Sequence, residues 1–417
     1  MANLNRRQFL QTLGLASAAG ATLTFSQLSK AADARPHVVV VGGGFAGATA
    51  AKYLRYWSNA IDVTLVEGNA TYYSPILSNL VLNNQRNLGQ ISFNYNTLAQ
   101  KYGVKVIQEW ADSINAPNQS ITLRNGAVLN YDRLIVAPGI QFMDVQGLDS
   151  NKIPHAWQAG AQTTLLQQQI AAMPAGGTFV MTIPAAPYRC PPGPYERACV
   201  VADWLRINKP GSKVVVLDAN PAITVEPTIF GNAFAQYGVQ YVPNATLQSV
   251  DSDQKIAYTS AGEFKASVLN VIPPQRAGDL VTKSGLANVG GGRWAGVNPL
   301  SYESTAVPNI HILGDSQGTG QPKAGHIANA EAKVCADAIL RLLAGQQPYA
   351  APVTNSACYS PISSDTASWL TAVYAYDLAS GTMKLVPESF GAAAAPSNKY
   401  YNRMFDWTTN LFNDTFA

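Results

Sequence analysis

The stretch from His37 to Glu67 constrains the fold of this 417-residue chain more than any other. His37-Val-Val-Val-Val41 is a continuous apolar run, as expected of a central parallel strand buried on both faces. Gly42-Gly-Gly44-Phe-Ala-Gly47 follows at once, then a helical pattern from Ala48 to Tyr56 and a second strand, Val63-Thr-Leu-Val-Glu67. Each part has a task in holding a dinucleotide. Gly42 permits the tight turn, Gly44 lets a pyrophosphate approach the backbone, and Gly47 lets the helix lie close on the sheet. Glu67, about 20 residues on, can accept hydrogen bonds from a ribose. Glycines alone are weak evidence. Strand, glycines, helix, strand and acid in this order predict a dinucleotide-binding βαβ unit.

Two later segments select FAD over a nicotinamide cofactor. Tyr131-Asp-Arg-Leu-Ile-Val-Ala-Pro138-Gly139 reads as a strand entering a turn. It resembles the return segment of flavoproteins built from two dinucleotide folds. Asn309-Ile-His-Ile-Leu-Gly314-Asp315 is a short strand closed by Gly-Asp, the place where such folds hold the ribityl chain of FAD. Gln321-Pro-Lys323-Ala-Gly-His326 then precedes a helical pattern from Ile327 to Leu343. A helix start aimed at the flavin would favour negative charge there, and Lys323 would add to that field.

Residues 176–272 read as a second α/β unit, with strands at Thr178–Ile183, Lys213–Leu217 and Val268–Ile272 and a helix from Tyr195 to Ile207. After its first strand, where a nicotinamide cofactor needs glycines, stands Cys190-Pro-Pro-Gly-Pro-Tyr-Glu-Arg-Ala-Cys199. This unit is expected to have lost its nucleotide. Asp218, in the slot of a ribose-binding acid, then reads as a relic or a cap. Beyond Gly345 the chain is rich in Ala, Ser, Pro and aromatics, with a strand over Thr382–Pro387 and an amphipathic aromatic stretch from Tyr400 to Phe416.

Four cysteines allow three complete pairings. Cys335, inside a helical run, reads as a buried thiol. Cys190 is left with two candidate partners, Cys199 nearby and Cys358 in the tail.

The first 34 residues read as an address. Arg6-Arg7-Gln-Phe-Leu10, a dilute apolar stretch to Phe25 and Ala32-Asp-Ala34 form a twin-arginine export pattern with cleavage near Ala34. This places the mature chain in the periplasm, where disulfides persist. Removing the leader leaves 25 basic and 24 acidic side chains, a net of +1. Without a clustered basic run, nucleic acid and acidic membrane surfaces are excluded as partners. No membrane span is expected in the mature chain, and no metal site.

At this point the chain resembles the flavoprotein subunit of flavocytochrome c sulfide dehydrogenase. The carriers are Gly42–Gly47, Tyr72-Tyr-Ser-Pro-Ile-Leu-Ser-Asn79, Cys190-Pro-Pro-Gly-Pro-Tyr-Glu-Arg197, Gly314-Asp315 with Pro322-Lys323, and Ser356-Ala-Cys-Tyr-Ser360. The resemblance implies an α/β fold of two Rossmann-like, glutathione-reductase-like domains plus a small C-terminal α+β domain. It divides the chain into 35–155 with 271–345 for FAD, 156–270 for the second fold, and 346–417 for the tail. It implies a redox disulfide Cys190–Cys358, Glu196 as acid/base, and transfer of electrons from hydrogen sulfide, or another small sulfur species, to a c-type cytochrome subunit in a heterodimer. Hydrosulfide would attack Cys190 and release Cys358. Pro75 departs from the family pattern, because members with covalent FAD carry a cysteine there. Noncovalent FAD is therefore expected. The chain has no Cys-x-x-Cys-His, so any haem belongs to another polypeptide. Two other readings share these residues, a sulfide:quinone oxidoreductase and a non-catalytic FAD-binding subunit.

Overall fold

The computed structural model describes residues 35–417; the twin-arginine segment lies outside the described residues. The fingerprint folds as a βαβ unit of β1 (His37–Val41), α1 (Phe45–Trp57) and β2 (Asp62–Val66). β3 (Lys105–Ile107) and β4 (Arg133–Val136) extend the sheet, and all neighbours run parallel in the order β3-β2-β1-β4. Val38, Val39 and Val40 of β1 are fully buried, which explains why this strand is apolar without alternation. β1 leads into helix α1 on the way to β2 on one side, while β4 lies on its other side. The carboxyl end of β1 is therefore a switch point, where such sheets bind ligands.

Ile140–Phe142 pairs antiparallel with Gln275–Ala277, and this ribbon carries the chain out to a second sheet and back. That sheet is built from β5 (Thr178–Ile183), α2 (Gly193–Asn208), β6 (Lys213–Asp218), α3 (Pro227–Tyr237), β7 (Gln240–Val242) and β8 (Val268–Val271). Its order is β7-β6-β5-β8, again parallel. On return, β9 (Ile310–Ile312) joins the first sheet parallel to β4 and feeds α4 (Gly325–Leu343). α4 begins two residues earlier than the apolar pattern suggested.

The tail is a separate layer of antiparallel strands, β10 (Val353–Pro361), β11 (Ala367–Asp377) and β12 (Thr382–Leu385), closed by α5 (Asn398–Phe416). The expected strand at Thr382 ends at Leu385. α5 docks onto the flavin-side domain through its aromatic face: Phe412 and Phe416 pack on Phe45 and Phe93. Its end is fixed by Lys52 Nζ, which donates to the carbonyls of Asn413 (3.0 Å), Asp414 (2.9 Å) and Ala417 (2.5 Å). A cation on the last carbonyls suits a helix C-terminus. The tail therefore reaches back to the helix that follows the glycine turn. Among the described residues no helix is long and apolar enough to cross a membrane.

Candidate active site

The cradle for a flavin dinucleotide is built from backbone. Gly42 has φ +99°, and a Cβ placed on it would lie 2.3 Å from the carbonyl oxygen of Ala137. A Cβ on Gly47 would lie 1.8 Å from the Gly42 oxygen, so α1 can sit this close to the turn only without a side chain. Gly44, at the N-cap of α1, offers no side-chain cap, and the first turn has no acidic residue, leaving its N–H groups for an anion. Glu67 directly follows β2 and accepts from Gly43 N–H at 2.8 Å through Oε2 and from Asn69 N–H at 2.8 Å through Oε1. Four lone-pair directions on that carboxylate leave room for a ribose hydroxyl.

The Pro138-Gly139 turn and the Gly314-Asp315 turn meet. Ser316 Oγ donates to the Gly139 carbonyl, and Gly278 N–H donates to the same oxygen at 3.1 Å. Asp315 Oδ1 is buried without a hydrogen-bond partner. Such an orphan is costly unless a ligand satisfies it, and a ribityl hydroxyl is a suitable donor. Lys323 Nζ donates to the carbonyls of Asp315 (2.9 Å) and Gln317 (2.6 Å) and lies 3.7 Å from the centre of the Trp294 ring. Burial pulls its pKa down to about 8. Glu331 of α4, missed in the sequence, is fully buried and accepts from Gly314 N–H (3.1 Å) and Gln317 Nε2 (2.7 Å). It holds the Gly-Asp turn from behind. The residues present thus fit FAD.

A cavity of about 70 Å³ lies where the three layers meet, lined among others by Pro75, Asn79, Cys190, Glu196, His326 and Cys358. Each layer contributes. Cys190 has φ +56°, an uncommon conformation for a non-glycine residue. Its N–H donates to the Lys323 carbonyl at 2.7 Å, and its own carbonyl accepts from Gly193 N–H at 2.9 Å where α2 begins. Cys358 comes from the middle of β10, opposite Leu370 of β11. All four cysteines are thiols in this structure, so the Cys190–Cys358 bond is not formed; what the fold supplies is a shared cavity. Cys199 does not line this cavity. It is fully buried in the central core, two turns into α2, and Cys335 is fully buried in the core around α4. Burial raises the pKa of the Cys190 thiol and pushes that of Cys358 up to about 12.

Glu196 lies in the first turn of α2, whose dipole favours its anion. Burial outweighs this and raises its pKa from 4.5 to about 8, opposed by the hydrogen bond from Asn79 Nδ2 to Oε1 (2.8 Å) and by Arg197. Arg197 is itself held by four hydrogen bonds. It donates to Asn79 Oδ1 (2.9 Å), Asn270 Oδ1 (2.9 Å), the His155 carbonyl (2.9 Å) and the Ala156 carbonyl (2.6 Å). Asn79 therefore ties the acid to the cation that positions its helix. Its place in the Tyr72–Asn79 run was the only signal. His326 Nδ1 accepts from Ala357 N–H at 2.9 Å, which places its proton on Nε2, beside Cys358's strand. Burial lowers its pKa, which favours the neutral ring.

The second dinucleotide fold is filled from within. Asp218, fully buried at the end of β6, accepts from Tyr195 Oη (2.7 Å), Tyr241 Oη (2.8 Å), Asn220 N–H (2.9 Å) and Asn220 Nδ2 (2.7 Å). It caps the turn at Asn220, as one of the sequence readings has it, and Tyr195 of the Pro-rich run engages the acid that would hold a ribose.

Two parallel-sheet dinucleotide folds, the first with an open cradle and the second closed, define an FAD-dependent oxidoreductase. Family models agree: pyridine nucleotide-disulphide oxidoreductase matches residues 36–172, the central region of the sulfide dehydrogenase [flavocytochrome c] flavoprotein chain matches 163–273, and the flavocytochrome c sulphide dehydrogenase flavin-binding region matches 350–416. The flavoprotein chain of sulfide dehydrogenase [flavocytochrome c] from Chlorobaculum thiosulfatiphilum is 54% identical over 44 residues, which cover 11% of this chain and 92% of that one. The chain belongs to the flavocytochrome c sulfide dehydrogenase flavoprotein family. A sulfide-quinone reductase of Aquifex aeolicus is 24% identical over 269 residues, 60% of this chain and 61% of that relative. The match therefore spans less than two thirds of that relative's length. The X-ray structure of the Aquifex aeolicus sulfide:quinone oxidoreductase superposes with a TM-score of 0.76 at 18% identity over 92% of each chain, a likeness of fold.

Proposed function

We propose that the chain is the flavoprotein of a periplasmic sulfide dehydrogenase, which oxidises hydrogen sulfide through a Cys190–Cys358 disulfide and passes electrons to a c-type cytochrome subunit. The observation that carries this reading is the cavity in which two cysteines from different layers, Cys190 and Cys358, face one buried acid, Glu196. A disulfide sulfur is the natural electrophile for hydrosulfide. Cys358 lines two cavities and Cys190 only the narrower one. Hydrosulfide therefore forms its S–S bond with Cys358, leaving a persulfide there, while the bond between the cysteines breaks and Cys190 departs as a thiolate. This reverses the order expected from sequence. Burial makes a bare Cys190 thiolate unfavourable, and Glu196 in its acid form can supply a proton. FAD, held by the glycine turn, Glu67 and Asp315, supplies the two-electron acceptor that can give electrons up singly. The absence of a nucleotide-binding second fold favours an acceptor other than NAD(P).

Glu196→Gln tests the acid. Wild-type flavin reduction by sulfide should fall as pH rises through about 8, where the carboxyl loses its proton. The variant should be slower by roughly 10²-fold or more and lack that descending limb. Stability carries the opposite mark. The folded carboxyl keeps a proton that the unfolded chain releases near 4.5, so wild-type stability declines between pH 4.5 and about 8 relative to the variant. A variant with an unchanged limb near pH 8 would remove Glu196 from the mechanism.

Pro75 lines the same cavity and has no nucleophile to join a flavin. Acid precipitation should release yellow FAD into the supernatant. Flavin retained in the pellet would contradict a noncovalent cofactor.

A further inference from the structure

Cys358 has a second side. Beyond it lies a wider cavity of about 550 Å³, walled by the β10–β11 strands, the start of α3, and Pro191, Pro322 and Ala324. It reaches the surface at Leu385 and Phe390, both exposed. The walls are mostly apolar, with one carboxylate. Glu226 stands at the N-cap of α3 with φ +50°, and its Oε1 accepts from Ser368 Oγ. Its Oε2 is buried with no partner within hydrogen-bond distance, and Ser360 Oγ lies close enough to oppose the rise in its pKa. A volume in the range of small-molecule sites, apolar walls and a single convergent polar group describe a ligand pocket. It is far larger than hydrosulfide needs.

We propose that this cavity binds a small organic thiol, uncharged at its far end, that takes the sulfane sulfur from Cys358, with Glu226 receiving the thiol proton. The inference rests on the reading of the site given above and extends it to product release. In the step, the thiol sulfur bonds to the outer sulfur of the Cys358 persulfide while the bond from that sulfur to Cys358 Sγ breaks. Cys358 leaves as a thiolate, the thiol proton passes to Glu226, and an organic persulfide departs. No electrons are gained or lost in the transfer. They leave afterwards, when Cys358 and Cys190 re-form their bridge and FAD takes the pair; with sulfide alone, a second hydrosulfide takes the thiol's place, leaves as a disulfide-level sulfur anion, and the same bridge re-forms. Burial raises the pKa of Glu226, which suits it to accept a thiol proton. A carboxylate in an apolar wall also opposes anionic thiols.

The test uses FAD-loaded protein under anaerobic conditions. Sulfide is added and removed, and the alkylated peptides are analysed by mass spectrometry. One extra sulfur is expected on the Cys358 peptide. 2-Mercaptoethanol should then strip it about tenfold or more faster than 3-mercaptopropionate. Stripping should slow by on the order of 10²-fold in Glu226→Gln and also slow in Ala372→Phe, which fills the cavity. The comparison of thiols needs only the wild-type protein, so it decides even where a variant fails to fold. Extra sulfur on Cys190 alone, or equal stripping by the two thiols, would overturn the proposal while bleaching of the flavin by sulfide still upheld the underlying function. No bleaching in the wild type would instead remove that function.

Discussion

Cys190→Ser and Cys358→Ser should each keep FAD and the fold yet lose flavin reduction by sulfide by roughly 10⁴-fold or more, the scale seen when a member of a catalytic unit is removed. The reason is chemical. In the proposed reaction the Cys190–Cys358 pair, once bridged, is the electrophile for hydrosulfide, and either substitution prevents the S–S bond. Cys199→Ala and Cys335→Ala should remain active, with a cost of about 1 kcal/mol in stability for small changes in a packed core. Both thiols are fully buried away from the site. Anaerobic stopped-flow spectra of the four variants check this. Loss in Cys199→Ala with activity kept in Cys358→Ser would move the bridge to Cys190–Cys199.

NADH and NADPH should fail to reduce the flavin, with bleaching slower than that by sulfide by about 10³-fold or more, since the backbone donors and ribose acceptor of a nucleotide site are both missing. Pro191 and Pro192 have no N–H to offer a pyrophosphate. Asp218 is engaged by Tyr195, Tyr241 and Asn220. Displacing Tyr195 would uncover a buried ring packed 5.5 Å from Phe230 and leave a buried carboxylate short of a donor. Anaerobic addition of each nucleotide, followed at the flavin band, measures it. Rapid bleaching by either would mean that the second fold still holds a nucleotide.

Much of this was legible in the chain because it is local. The glycine turn, the strands around it and the Pro-rich run are each written within about thirty residues, and backbone rules act at that range. The surroundings of Glu196 were not legible. Asn79 and Arg197 are 118 residues apart, and no periodicity links them before the layers close. The same holds for Gln321 Nε2 with Thr354 Oγ1 and for Glu226 with Ser368, which join the tail to the two folds. Glu331 looked like an ordinary polar position in a helix. Its burial follows only from the Gly314 turn seated on it. Asp218 read as a relic or a cap because only its donors from Asn220 are local, while Tyr195 and Tyr241 come from a different helix and a different strand. The proposed direction of attack differs from the one expected from sequence for a related reason. Sequence names two cysteines, but only the packed tail decides which of them faces the wider cavity.

The central claim is that sulfide electrons enter the flavin through the Cys190–Cys358 pair. The most direct measurement is an anaerobic stopped-flow spectrum of the FAD-loaded wild-type protein mixed with sulfide, run beside Cys358→Ser. The account predicts rapid bleaching of the flavin band in the wild type and an unbleached, fully flavin-loaded Cys358→Ser. Equal bleaching of the two proteins would contradict it, because sulfide would then be reducing the flavin without the disulfide.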